Sequence, residues 1–99
     1  LKSKLKGQKD RKGKILVNLV LPDFILGIAE TLTFGANKYA PNTWQNIDEP
    51  IETHYGAVLR HLLAWRSGEI KDPESGIHHL KHAASNIMFL LDHEKEGRK

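Results

Sequence analysis

Four prolines, at positions 22, 41, 50 and 73, do most to restrict what this 99-residue chain can become. Proline lacks a backbone N–H and clashes with the preceding helical turn, so each one bounds a helix instead of sitting inside it. Pro22 suits the first turn of a helix, with Asp23 near its positive end. Ile25, Ile28, Ala29 and Leu32 follow at i, i+3, i+4 and i+7, so a first helix should reach Leu32 or beyond, toward Gly35. Residues 40–51, APNTWQNIDEPI, read as a loop. Thr53 is then the expected cap of a second helix that carries Tyr55, Val58, Leu59, Leu62 and Trp65 and stops at Gly68. The turn KDPESG, with Ser75 as cap, opens a third helix expected to bury Ile77, Leu80, Ala84, Ile87, Met88 and Leu91. Residues 15–21, ILVNLVL, suggest a short extended segment. The fold class is therefore all-α, a bundle of three main helices without internal repeats.

Charge divides the chain unevenly. Residues 1–14 hold seven bases against one acid, whereas residues 15–99 hold eight bases against eleven acids. The expected organisation is a flexible basic arm over 1–14 and a single helical domain over 15–99. Such an arm suits phosphate, but the acidic body supplies no second basic surface, so nucleic acid is not the expected partner. A chain without cysteine has neither disulfides nor a thiolate metal site. No apolar run approaches the roughly 18 to 20 residues that span a bilayer, and a cytoplasmic protein is expected. A core this small also favours association of copies.

The stretch SGEIKDPESGIHHLKHAASN, residues 67–86, concentrates the chemistry. At 3.6 residues per turn, His79, His82, Asn86 and His93 fall within roughly a 60° arc of the third helix. Placed beside the apolar stripe, that arc would face a cleft while Leu80 and Ile87 hold the helix in the core. His78 points away and is expected at the surface. On the second helix, Arg60 and His61 adjoin Leu59 and Leu62, and Glu69 and Asp72 follow at its end. Antiparallel packing of helices joined by a short turn would bring both carboxylates near His79 and His82. Carboxylates with imidazole or amide neighbours can hold a divalent metal, oxygen ligands favouring magnesium or manganese. The same residues also suit an ordinary polar helix–helix turn with solvated or capping carboxylates.

The loop FGANKYAPNTW, residues 34–44, brings Lys38, Tyr39, Asn42 and Trp44 into a short span. An aromatic face can stack on a purine, asparagine can read its edge, and lysine can meet phosphate. Alternatively, the aromatics pack the loop over the bundle. The chain has no GxxxxGK[ST], GxGxxG or HExxH, and no serine in a strained elbow.

Taken together, KDRKGK, LTFGANKY, NTW, YGAVLRHLLAW and GEIKDPESGIHHLKHAASNIMFLL resemble phage and prophage proteins of the dATP/dGTP diphosphohydrolase-like family. The likeness runs from about residue 8 to residue 91, with Arg11 and Lys12 separating Asp10 from Gly13 as a departure. That family is similar to the all-α, MazG-like nucleotide pyrophosphohydrolases, which bind magnesium on acidic residues of two helices and act as dimers or tetramers. The resemblance implies a phage- or prophage-encoded enzyme that hydrolyses purine deoxynucleoside triphosphates to monophosphate and pyrophosphate with Mg2+ or Mn2+. It implies Glu69, Asp72 and His61 as catalytic residues, and Glu69, Asp72, His79, His82 and Asn86 at the metal. Lys14, Lys38, Tyr39, Asn42, Trp44 and Arg60 would hold the nucleotide, and the protein would be a homodimer or higher oligomer. The chain departs from MazG-like proteins in lacking EExxE, and its Glu69-Ile-Lys-Asp72 lies in a turn before Pro73. Fewer negative ligands weaken magnesium binding. A second expectation is therefore a nucleotide-binding protein without chemistry, such as a phage factor that captures a host signalling nucleotide.

Overall fold

The computed structural model describes residues 13–99, so most of the basic arm lies outside the described residues. Among the described residues there are three α-helices: α1 (Pro22–Lys38), α2 (Pro50–Arg66) and α3 (His79–Lys95). Two short 3-10 turns, Val17–Leu19 and Thr43–Asn46, precede α1 and α2. The segment expected to be extended thus contains a helical turn, closed by Leu19 N–H donating to the Leu16 carbonyl.

Proline starts two of the helices. Pro22 and Pro50 each stand at the first helical position, where a missing N–H costs nothing. Pro50 sets the start of α2 three residues ahead of Thr53, and Glu49 before it takes a left-handed conformation at φ 45°. Thr53 does not cap; its hydroxyl donates to the Asp48 carbonyl at 3.2 Å. Ser75 does not cap α3 either. His78 does, its Nδ1 accepting from Leu80 N–H at 3.0 Å, so the residue expected to idle at the surface has a local structural duty.

α2 and α3 form an antiparallel hairpin, as their side-chain pairs demonstrate. His54, early in α2, meets Asn86, whereas His61, one heptad later, meets His79. The connection between them is pinned by an antiparallel bridge, Lys71 to His78. α1 packs on α3, where Gly27 lets the Lys81 stem cross closely; a Cβ at Gly27 would lie 2.8 Å from Lys81 Cδ.

The faces turned inward match the expected ones only in part: Ile77, just ahead of α3, is buried as expected, but most of the stripe is not. On α3, His79, His82, Ala83, Ser85, Asn86, Phe89 and His93 are buried, while Ile87 is 47% and Leu91 64% exposed. On α2, only Val58 of the expected apolar set is buried, alongside Pro50 and His54. On α1, Ile25 is exposed and the inward residues are Gly27 and Thr31. The polar arc of α3 therefore lies opposite its apolar stripe, and the polar arc points inward. Such an interior is tolerable because every fully buried side-chain nitrogen or oxygen among the described residues has a hydrogen-bond partner. No helix among the described residues is long and apolar enough to cross a membrane.

Candidate functional site

A cleft of about 1080 Å³ opens between α1, the following loop and α2, with α3 as its floor. Of the residues singled out in the sequence, Lys38, Tyr39, Asn42, Trp44, Arg60, His61, Asp72, His82 and Asn86 line it. Glu69 and His79 stand behind its wall, and Lys14 is exposed away from it.

The deep corner is built by the end of α2, the connecting turn and the start of α3. His61 Nδ1 lies 2.8 Å from His79 Nδ1, and His79 Nε2 lies 2.7 Å from Glu69 Oε1. A carboxylate only accepts, so His79 donates from Nε2 and keeps its lone pair on Nδ1. His61 stacks on His82 with centroids 4.5 Å apart and planes 6° from parallel. The turn supplies Asp72, whose Oδ2 accepts the Ser75 N–H at 2.9 Å and stands 4.0 Å from His82 Nε2. The Ser75 hydroxyl meets the same His82 nitrogen at 2.6 Å. His61, Asp72 and His79 each offer a ligand atom, all within 4.8 Å of one another.

Electrostatics favour the neutral form of His61 and His82 and the charged form of Asp72. Burial pushes His61 down to about 4, helped by the proximity of His82 and His79. Burial also lowers His82, although Asp72 pulls the other way. For Asp72, burial alone would raise the pKa, but the Ser75 hydrogen bonds and the nearby His82 and His61 outweigh it and hold it below 3.8.

The other end of the cleft is aromatic. Trp44 stacks on Phe89 at 4.4 Å and 17°, and its carbonyl accepts from His93 Nε2 at 3.0 Å, with His54 Nε2 at 3.4 Å. Arg98 Nε donates to His93 Nδ1 at 2.8 Å, which fixes that imidazole as the Nε2–H tautomer. Asn86 belongs to this end: its Oδ1 accepts from His54 Nδ1 at 3.1 Å and its amide donates to the His82 carbonyl. Its side chain is thus committed to His54 and to the α3 backbone. Tyr39 is 68% exposed on the rim, and Lys38 pairs there with Glu74, which raises the lysine's pKa. Asn42 holds a left-handed turn at φ 61°.

Sequence reasoning passed over His54 and Phe89 as cleft-lining groups, and Ser75 as the partner of His82. A signal for His54 existed, because it precedes His61 by seven residues and so shares its helical face. Burial lowers its pKa too, against the Asn86 hydrogen bond.

Fold and site together define a small all-α protein with a histidine–carboxylate corner at one end of an aromatic cleft. The chain matches over residues 4–99 the family described as dATP/dGTP diphosphohydrolase, N-terminal, and it belongs to that family. A dATP/dGTP diphosphohydrolase of Salmonella phage PMBT28 is 38% identical over 85 residues, covering 86% of this chain and 29% of that protein. The chain thus spans under a third of that relative's length. No solved structure matches it.

Proposed function

We propose that the protein hydrolyses a purine deoxynucleoside triphosphate to the monophosphate and pyrophosphate. The observation that carries this reading is the two-ended cleft, with the corner of His61, Asp72 and His82 at one end and Trp44 at the other. Along the α3 floor, His82 and Phe89 are about 10 Å apart, at 1.5 Å of rise per residue. The triphosphate would lie at the corner, met by Arg60 and by Lys38 once it leaves Glu74. The base would lie against Trp44 and Tyr39, with Asn42 beside it. Water attacks the α-phosphorus, the bond to the bridging oxygen breaks, pyrophosphate leaves, and the neutral imidazole of His82 takes the water's proton.

The reading includes a divalent cation. Two imidazole nitrogens and a carboxylate oxygen converging within 4.8 Å are a donor set that fits one, with His61, Asp72 and His79 as the holders. When bound, it would neutralise charge on the phosphate chain. The outward apolar stripes of α2 and α3, with Leu62 36%, Ile87 47% and Leu91 64% exposed, support homo-oligomers that cover them. The setting would be the bacterial cytoplasm, where the substrate is made.

A second reading is capture of a nucleotide without turnover, favoured by the single carboxylate in the converging group. One experiment separates the two: incubation with dATP, dGTP and a panel of cyclic and ADP-ribose nucleotides, with and without Mn2+ or Mg2+, followed by chromatography. Hydrolysis predicts monophosphate and pyrophosphate from the purine triphosphates. Intact ligand recovered from denatured protein would rule that out in favour of capture.

A further inference from the structure

We infer that the corner is a site for a divalent transition ion, such as Mn2+, Fe2+, Co2+ or Zn2+, in preference to Mg2+, and that Glu69 positions His79 for it. The inference rests on the metal-dependent reading above and specifies which ion that site takes.

Magnesium is small and hard, and it prefers oxygen ligands with several retained waters. The corner offers two nitrogens and one carboxylate instead: His61, His79 and Asp72. Imidazole is a borderline ligand that favours first-row transition ions, whose affinities for such sites exceed that of magnesium. Three protein ligands beside a cleft also leave coordination positions open to substrate and water, as in catalytic sites.

The second line is the hydrogen bond behind the wall. A ligating histidine ordinarily donates its other ring N–H to a carboxylate or carbonyl, which fixes the tautomer and the ring plane. His79 does this, donating Nε2–H to Glu69 Oε1 at 2.7 Å. The remaining lone pair, on Nδ1, points at His61 Nδ1 only 2.8 Å away. Two nitrogens so close either share one proton or share a cation. His79 is 3% exposed, so its orientation is set by the protein and not by solvent. Glu69 thus acts through His79 as a positioning residue and is not itself a ligand.

The test is metal binding to the intact protein, read without any nucleotide. After removal of metal with chelator, titration calorimetry with Mn2+ and with Mg2+ should give at least about tenfold tighter binding of Mn2+, about 1.4 kcal/mol. Pulsed EPR of bound Mn2+ should show nitrogen hyperfine couplings from imidazole. His61→Ala should weaken those couplings, while Glu69→Gln should keep them and lower Mn2+ affinity about 10- to 100-fold. Equal affinity for Mg2+, or bound Mn2+ without nitrogen couplings, would overturn the inference. The wild-type spectrum decides the matter even if His61→Ala fails to fold. Turnover with a tightly bound Mg2+ would sink this inference while leaving the hydrolytic reading intact, and nitrogen-ligated Mn2+ without turnover would do the reverse.

Discussion

The inward and outward faces of the α2–α3 hairpin invert the ordinary arrangement of a small bundle. Inside lie His54, His79, His82, Ser85, Asn86 and His93; outside lie Leu59, Leu62, Leu63, Ile87 and Leu91. An imidazole gains little from leaving water, whereas burying a leucine is worth about 1.5–3 kcal/mol. The difference teaches that the inner face is polar and held by hydrogen bonds, while much of the apolar surface of the hairpin lies outside.

The largest test breaks the outer face. Leu62→Glu combined with Ile87→Glu should convert an oligomer to monomers in sedimentation equilibrium. It should remove about 3–6 kcal/mol of apolar burial, at roughly 1.5–3 kcal/mol per side chain. A wild type that sediments as a monomer, with an unchanged melting temperature in the variant, would defeat the idea that this face is a second core.

The next test breaks the inner face at its carboxylate. Asp72→Asn should lower turnover of dATP or dGTP by about 10²–10³-fold, with the helical circular dichroism retained. Full activity in the variant would remove Asp72 from the reaction.

Acid should strain the inner face and spare the outer one. An unfolded imidazole takes its proton near 6.5, but folded His61 does so only near 4. Between these values the unfolded chain binds more protons, so stability falls as the pH falls. His54 and His82, also lowered, act in the same direction. In the presence of chelator, denaturation at stepped pH should show a loss on the order of 2 to 3 kcal/mol across that window. Asp72, lowered from 3.8, loses its contribution only below that range. A flat profile from 6.5 to 4 would mean that these imidazoles are hydrated after all.

Smaller still is Asn86→Ala, which leaves His54 Nδ1 without its partner. Thermal melts should register about 1–3 kcal/mol, with metal affinity unchanged because the Asn86 amide is engaged by His54 and the His82 carbonyl. The smallest stability effect belongs to Glu74→Gln on the exposed rim. The melting temperature should stay put, and nucleotide affinity should rise as Lys38 is released; weaker binding would show that the pair serves to shape the cleft.

Much of the helical layout was legible because proline and glycine act locally. Pro22 and Pro50 fix helix starts wherever the rest of the chain goes, and Gly68, at φ 110°, follows the end of α2. Orientation was not legible. Hydrophobic periodicity marks Leu80, Ala84, Ile87 and Leu91 as one stripe, but whether that stripe faces the chain's own core depends on surfaces beyond one copy. The gathering of His61, Asp72, His79 and Glu69 followed from an antiparallel hairpin with a short turn. Asn86 was grouped with them by helical angle alone. Only the register of α2 against α3, which pairs it with His54, assigns it to the aromatic end.

α1 touches the bundle chiefly through α3, not across the cleft through α2. The α1 wall of the pocket is therefore held where Gly27 meets Lys81 on α3, at the Lys38–Glu74 pair, and through the loop after α1, where Trp44 stacks on Phe89. If α1 moves on these attachments, the aperture of the cleft would vary, and a ligand that bridges both walls would narrow the distribution of widths. Part of its binding free energy would go into that narrowing, so spin labels on α1 and α2 would report occupancy as a sharpened distance distribution.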